Sequence, residues 1–581
     1  MVIRDIYTDL ARYAPGKPVT VDVVVTNETK ETAAGQVIVK CSYVIWTVAA
    51  LKPQSYHLRT GNTTTLVYKW LPPATDFTGY LIEAKVQNAT GELLDSRFTA
   101  ADVSSSWTHF PRYGYYANYG HLDTPAAVRL AWQLKNYHIN AIQYYDADYK
   151  HHIPLAGTVA KPAESWPNLE NRTIYRKALL DLINSGHSDG IAAMQYNAIY
   201  AAYADFADDG VDRRWGVFQD AKHSIQQSVQ FSPSWHWASD ALYVFDTGNP
   251  GWQDYIISHE AQVLTAFPYD GWHADQFGDP GYMYNYDGVR IEPWKSFAPF
   301  IETAKQRLGK AVIFNTVGAY GMYDTCANST EDAVYVECWE FAHQKTYGDL
   351  KTTIDQGIDW SRGKGVVLAA YNDRAYAGKF SNNAPGLFNV PGVLLTDAVI
   401  FSSGGSHIEL GDDLHLLENE YFPDHKLLPS ASLLSTLRDY YDFDVAYENL
   451  LRGNLTNTDN PIQLNVPMSV DGSAGAVWAF AKIGRDSQVL NMINLTSTKS
   501  ADWRDDGGND PMPAAQMNID VRYFCGPESV KSISWASPDN GQCKLKTLLF
   551  KSGVENGKQY VEFTLPELAY WDMIYLDEGT K

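Results

Sequence analysis

Positive charge is scarce in this sequence: 46 Lys and Arg stand against 68 Asp and Glu, a formal net charge of −22 over 581 residues. A nucleic-acid partner is disfavoured, because phosphate binding needs concentrated cations. Adhesion to an anionic membrane is disfavoured for the same reason, whereas an uncharged polysaccharide is neither attracted nor repelled. Long apolar runs are also missing, and without about 18 consecutive apolar residues no segment reads as a membrane-spanning helix. Cysteine is sparse. Cys41, Cys326, Cys338, Cys525 and Cys543 share no metal-ligand spacing and are odd in number, so at least one is expected as a free thiol. Cys525 and Cys543 fall in one late segment and either pair or remain two buried thiols. The opening MVIRDIYTDL lacks the basic and apolar regions of a signal peptide, which leaves both a removed signal and an intracellular protein open.

Several chemistries lack their motifs. Adjacent His151 and His152 would point to opposite faces of a strand, and no HExxH accompanies them. Ser402-Ser403-Gly404-Gly405-Ser406 has neither the spacing nor the lysine of a phosphate loop. A G-x-S-x-G elbow is absent, so a serine hydrolase has no anchor. Neither a metal nor a cofactor is expected.

Amphipathic aromatics are abundant, with 17 Trp and 38 Tyr, a composition suited to stacking on sugar rings but equally to packing strand faces. The length calls for about three domains. Residues 18 to 101 read as short strands separated by turns (PVTVDVVVTN, GQVIVKCSYVIW, TTTLVYKW, YLIEAKVQN), predicting an immunoglobulin-like β-sandwich over 1–105. Strands then alternate with helices, predicting a central (β/α)8 barrel over 106–445. Thr124 is placed as a helix cap with Pro125 at the first position, followed by a face of Ala127, Leu130, Ala131 and Leu134. The eighth strand is read in DAVIFSSGG, from 397. AVWAFAKI, SQVLNMINL, YVEFTL and YWDMIYLDE predict an antiparallel β-sandwich of Greek-key type over 446–581. The fold class is therefore multidomain, a barrel flanked by two sandwiches.

Barrel chemistry sits where strands end. The eight ends carry Asn118, Asp146, Asn197, Asp275, Asn315, Glu337, Tyr371 and His407. Hydrolysis of a glycosidic bond needs two carboxyl groups flanking the anomeric carbon, and Asp275 and Glu337 end strands four and six. Each acid taken alone has a plainer reading: a strand-end Asp often caps the next helix, and Glu337 or Glu340 would serve as a surface ion-pair partner.

The segments YYDADYKHHIPL, MQYNAIY, FDTGNPGWQDYI, YDGWHADQFGDPG, VYVECWE and GGSHIELGDDLHLLENEYFP occur in that order. Together they resemble glycoside hydrolase family 66, the dextranases and cycloisomaltooligosaccharide glucanotransferases. The resemblance implies a retaining reaction on α-1,6-linked glucan, with Asp275 as nucleophile and Glu337 as acid/base. Val336 and Cys338 depart from the family's Thr and Val beside the catalytic Glu, without removing a carboxyl. Glu340 is a rival for the acid/base. Asp146, in the YYD motif, is expected to bond a sugar hydroxyl, with the orientation of His151 or a loop as its alternative. Trp272, Trp339, Tyr145, Tyr196 and Tyr371 are candidates for sugar stacking, and His151, His407, Asn197 and Asn315 for hydroxyl binding. Only about 25 residues separate GVVLAAY from DAVIF, where the cyclising enzymes carry a large insertion, so an endo-dextranase is expected over a glucanotransferase. A silent glucan-binding protein and a hydrolase of another α-glycoside are the remaining alternatives. The protein is expected to be a monomer acting extracellularly, in the periplasm or on the cell surface.

Overall fold

The computed structural model describes residues 1–453, 455–526, 530–541 and 543–579. Its centre is a sheet of eight parallel strands whose spatial order follows the chain. These are β1 (Tyr113–Tyr116), β2 (Ala141–Tyr144), β3 (Ala192–Ala198), β4 (Gly271–Asp275), β5 (Ala311–Asn315), β6 (Ala333–Glu337), β7 (Val366–Ala369) and β8 (Ser406–His407). Tyr115 N–H donates to Leu410 O at 3.1 Å, which brings β1 against the segment leaving β8 and nearly closes the barrel. One longer helix fills each crossover: α1 (Thr124–Asn136), α2 (Arg176–Ser188), α3 (Pro250–Ala266), α4 (Phe297–Leu308), α5 (Met322–Asn328), α6 (Tyr347–Trp360) and α7 (Val390–Ser403). An eighth, α8 (Ala431–Ala446), follows β8.

Strands covered on both faces read as continuous apolar runs, and alternation then decides which side chains enter the barrel. Met194, Ile313, Ala333, Tyr335, Val367 and Ala369 share the interior cluster. Trp272, Ala274, Val312 and Phe314 pack outward against Ile256 of α3 and Phe300 of α4.

Two readings of local sequence are corrected. DAVIF is not the eighth strand but the middle of α7, nearly every residue of which is buried. An apolar run without periodicity fits a buried helix as well as a buried strand, and Pro391 in the first turn after Asn389 is the start signal that decides it. The cap of α1 is Asp123, whose side chain accepts from Ala126 N–H, one residue before Thr124. The four apolar residues read on that helix are buried.

Two antiparallel sheets precede the barrel, one of three strands and one of five. They enclose a core in which Val19, Val21, Val23 and Val25 alternate inward. After the barrel, a seven-stranded and a four-stranded sheet enclose a second core around Ile519, Val521, Phe563 and Leu565. Pairing there is antiparallel except for Met468–Ser469, which lies parallel to Val477–Trp478. All five cysteines are buried free thiols, Cys525 and Cys543 included.

Candidate active site

A cavity of about 820 Å³, a size typical of ligand sites, opens at the C-terminal ends of the barrel strands. Adjacent strands β4, β5 and β6 deliver Asp275, Asn315 and Glu337 on the inward register. The Asn315 amide joins the two acids. Its Nδ2 donates to Asp275 Oδ1 at 2.7 Å and to Glu337 Oε2 at 3.1 Å, while its Oδ1 accepts from Glu337 N–H at 3.3 Å. Those three bonds fix which way the amide faces.

The two carboxyl groups have different surroundings. Burial raises the pKa of Asp275, but Tyr196 OH at 2.6 Å, Asn315 and Gln276 N–H at 2.8 Å donate to it and pull back towards the ionised form. The nearby His151 acts in the same sense. Glu337 is pushed up to about 7, by burial first and then by the negative charge of Asp275, against the bonds from Asn315 and from Tyr371 OH at 3.0 Å. Environments that separate two carboxyl pKa values assign one acid and one base. Both groups are thus raised, Glu337 to about 7 and Asp275 against three donors that favour its ionised form.

Asp146 also lines the cavity, in the left-handed conformation with φ 46°. That backbone turn brings the residue to the cavity although the alternation of β2 would send it outward. Burial, and then the negative charge of Glu170, raise its pKa well above the usual carboxylate range. His151 lines the same wall, oriented by Asp148 Oδ2 at 2.9 Å from its Nδ1. Asp146, Asp148 and His151 offer ligand atoms within 4.8 Å of one another, the set at this wall that could take a cation. Asp148 Oδ2, however, already accepts from both His151 and Asn197.

Alternation separates the other expected site residues. Tyr145, Tyr196, Asn315 and Tyr371 line the cavity. Asn197, Trp272 and His407 occupy the opposite register and do not. Trp272 is fully buried against Phe300 outside the barrel, so it presents no face to a sugar. Asn197 bonds Asp148 and the carbonyl of His151 at 2.8 Å, holding the His151 loop. His407 is bonded to Asp397 and to the Ala370 carbonyl, both at 2.8 Å, behind Tyr371. The stacking role is also corrected for Tyr145, both of whose faces are covered, by Tyr196 at 4.9 Å and Phe422 at 4.3 Å. Trp339 sits at the margin, edge-on to Tyr371 and stacked on Phe341. Glu340 is exposed, 3.6 Å from Lys345, and has no part in the pair.

Sequence reasoning missed Glu170, the rings of Trp235 and Trp237, Glu420 with Tyr421 and Phe422, and Arg504 from beyond the barrel. The aromatic run FSPSWHW was the available signal for the second group: rings set among Ser and Pro in a turn have little core to enter.

A parallel barrel presenting two buried carboxyl groups across a single amide can carry out glycoside hydrolysis. Comparison with known proteins specifies it. The model of glycosyl hydrolase family 66 matches residues 8–575, and the chain belongs to that family. It is 28% identical to a cycloisomaltooligosaccharide glucanotransferase of Niallia circulans, over 99% of this chain and 72% of that protein. A dextranase of Streptococcus salivarius is 27% identical over 89% of this chain and 69% of its own length. The crystal structure of a Paenibacillus sp. cycloisomaltooligosaccharide glucanotransferase complexed with cycloisomaltoheptaose superposes with a TM-score of 0.91, at 26% identity and 99% coverage of both chains.

Proposed function

We propose that the protein cuts internal α-1,6 bonds of a glucan such as dextran by double displacement, releasing linear isomaltooligosaccharides. The observation that carries this reading is the Asn315 bridge. Its two bonds laid end to end limit the bridged oxygens of Asp275 and Glu337 to about 5.8 Å, near the roughly 5–5.5 Å of retaining pairs and short of the ~6.5–9.5 Å of inverting ones.

Asp275 attacks the anomeric carbon as the C1–O bond breaks, and Glu337 passes its proton to the leaving oxygen. The product is a glucosyl ester of Asp275 and a Glu337 carboxylate. That carboxylate then takes a proton from water, the water oxygen bonds C1, and Asp275 is released. Tyr196 and Asn315 stabilise the departing Asp275 carboxylate. Asp146, which lines the same cavity, bonds a hydroxyl of the ring bound at C1.

A second reading has its own support. If the 6-hydroxyl at the far end of the same chain replaces water, the product is a cyclic isomaltooligosaccharide. The close superposition on a glucanotransferase favours this acceptor, whereas the alignment with the Niallia circulans glucanotransferase runs over 711 positions against 581 residues here, which supports the argument from the short connection between β7 and α7.

The test is the product profile on dextran of wild type, Asp275→Ala and Glu337→Ala. Linear products from wild type and near silence from both variants establish hydrolysis by this pair. Predominantly cyclic products establish the transferase, and an active Asp275→Ala variant overturns the mechanism.

A further inference from the structure

Between β3 and α3 the chain leaves the barrel and builds a small three-stranded sheet, in which Ala241–Val244 pairs with Ala201–Ala202 on one side and Ser228–Gln230 on the other. The tip of this hairpin is FSPSWHW. Three aromatic rings in seven residues crowd together there: Phe231 lies 4.5 Å from Trp237, and Trp237 lies 5.0 Å from Trp235. Across the cavity mouth, Tyr421 of the loop after β8 stacks on Trp237 at 6.1 Å and 26°. All four rings line the same cavity as Asp275 and Glu337.

Two features separate this cluster from ordinary core. Trp235 is 55% exposed, so its apolar face is uncovered. The tip is nevertheless held in place. Ser232 caps the turn by accepting from Ser234 N–H, Asn171 Nδ2 donates to the His236 carbonyl at 2.6 Å, and Ala238 N–H donates to the Leu169 carbonyl at 2.7 Å. Packing does not require an exposed indole on an anchored turn; a flat apolar ligand does. The rings carry no charge, so the ligand they fit is neutral, with C–H faces to cover and hydroxyls left for the neighbouring Glu170, Asp424 and Lys426.

We infer that Phe231, Trp235, Trp237 and Tyr421 form a stacking subsite for a glucosyl ring of the bound chain distant from the bond being cut. This subsite rests on the α-1,6-glucan reading above and deepens it. The carboxyl pair sits at the strand ends, whereas the indoles stand on a sheet raised from the barrel rim. A ring on Trp235 therefore belongs to a chain several glucosyl units long, and the subsite makes the enzyme prefer long chains to short ones.

The experiment compares kcat/KM on dextran with kcat/KM on isomaltotetraose. Trp235→Ala and Trp237→Ala are expected to lower the dextran-to-tetraose ratio about tenfold, the equivalent of one lost stacking contact. Trp235→Phe, which keeps a ring, should recover most of it. Trp46→Ala, on the N-terminal sandwich, should leave the ratio at the wild-type value. A ratio unmoved in both alanine variants, or recovered no better by phenylalanine than by alanine, overturns the subsite. If wild type cuts neither substrate, the functional reading fails and the subsite is judged by binding alone. Dextran quenching the tryptophan fluorescence of wild type but not of the double alanine variant would keep it, and equal quenching would discard it.

Discussion

Arg504 Nη2 donates to the backbone oxygen of Cys338 at 2.9 Å, so a loop among the strands that follow the barrel supports the residue after Glu337. The same guanidinium reaches the Tyr371 carbonyl and lies over the rings of Trp503 at 4.6 Å and Trp339 at 5.4 Å. Its own carbonyl accepts from Asp373 N–H at 2.7 Å. Both loops that present the groups around Glu337 thus rest on one buried side chain from beyond the barrel. Arg504→Met keeps the volume but removes the donors. Small displacements of a reacting group cost up to 10²-fold in rate, so kcat on dextran should fall about 10- to 100-fold with KM changed less than about threefold. Steady-state kinetics decides this, and a rise in KM alone would assign Arg504 to substrate binding.

The pH dependence follows from the opposed environments of the pair. Turnover needs Glu337 protonated, and its pKa is pushed up to about 7, so activity should decline as pH rises through about 7. It also needs Asp275 ionised, and burial holds that pKa above 3.8, so the acid limb should lie above the ordinary aspartate value. Both limbs belong to the pair as a coupled system. Tyr371 donates to the Glu337 carboxylate and favours the ionised form. Tyr371→Phe should therefore move the alkaline limb upward, and a profile of kcat against pH that moved downward would reverse the assigned role.

How much of this was legible in sequence depended on what kind of signal each residue carried. Seven of the eight strands could be read, and with them Asp275, Asn315, Glu337 and Tyr371, because strands buried on both faces leave apolar runs that stop near a polar residue. The strand-end criterion alone overreached. It admitted Trp272, Asn197 and His407, which the two-residue alternation counted from Asp275, Tyr196 and Ile408 would have turned outward. Arg504 carried no such signal. It lies 167 positions after Glu337 in the numbering, in a loop beyond the barrel, and only tertiary contact relates the two. The α7 error had a local remedy in Asn389 and Pro391, whereas the left-handed backbone that restores Asp146 to the cavity has no one-residue signature.

Arg112 offers a test of how the domains are joined. It is fully buried and holds Asp102 of the N-terminal sandwich at 2.6 Å and Glu448, beyond α8, at 3.2 Å. Its Nε donates to the His138 carbonyl at 2.7 Å. Breaking a buried ion pair from one side strands the remaining charge and costs about 3–5 kcal/mol. Arg112→Ala should be destabilised by that amount in denaturant unfolding, with the first transition moved to lower denaturant. A shift below about 1 kcal/mol would show that water or rearrangement satisfies Asp102.

The most demanding prediction concerns Asn315, because one amide serves both carboxyl groups of the proposed pair. Its Nδ2 favours the ionised form of Asp275 and of Glu337, and its Oδ1 ties down the backbone of Glu337. Asn315→Ala removes all three bonds. Both pKa values should rise, so the acid and alkaline limbs move upward together, and kcat/KM on dextran should fall by about 10²–10³, the loss that follows removal of one preorganised donor in other sites. Asn315→Asp has nearly the same shape but puts a third carboxyl between the other two. Like charges at such distances cannot all ionise, so the alkaline limb should rise further than in the alanine variant while activity falls at least as far. The pH profiles of the two variants, measured alongside circular dichroism to establish that both fold, separate bridging from support. Equal loss of activity with limbs left at the wild-type positions would mean that Asn315 only fills space between the strands.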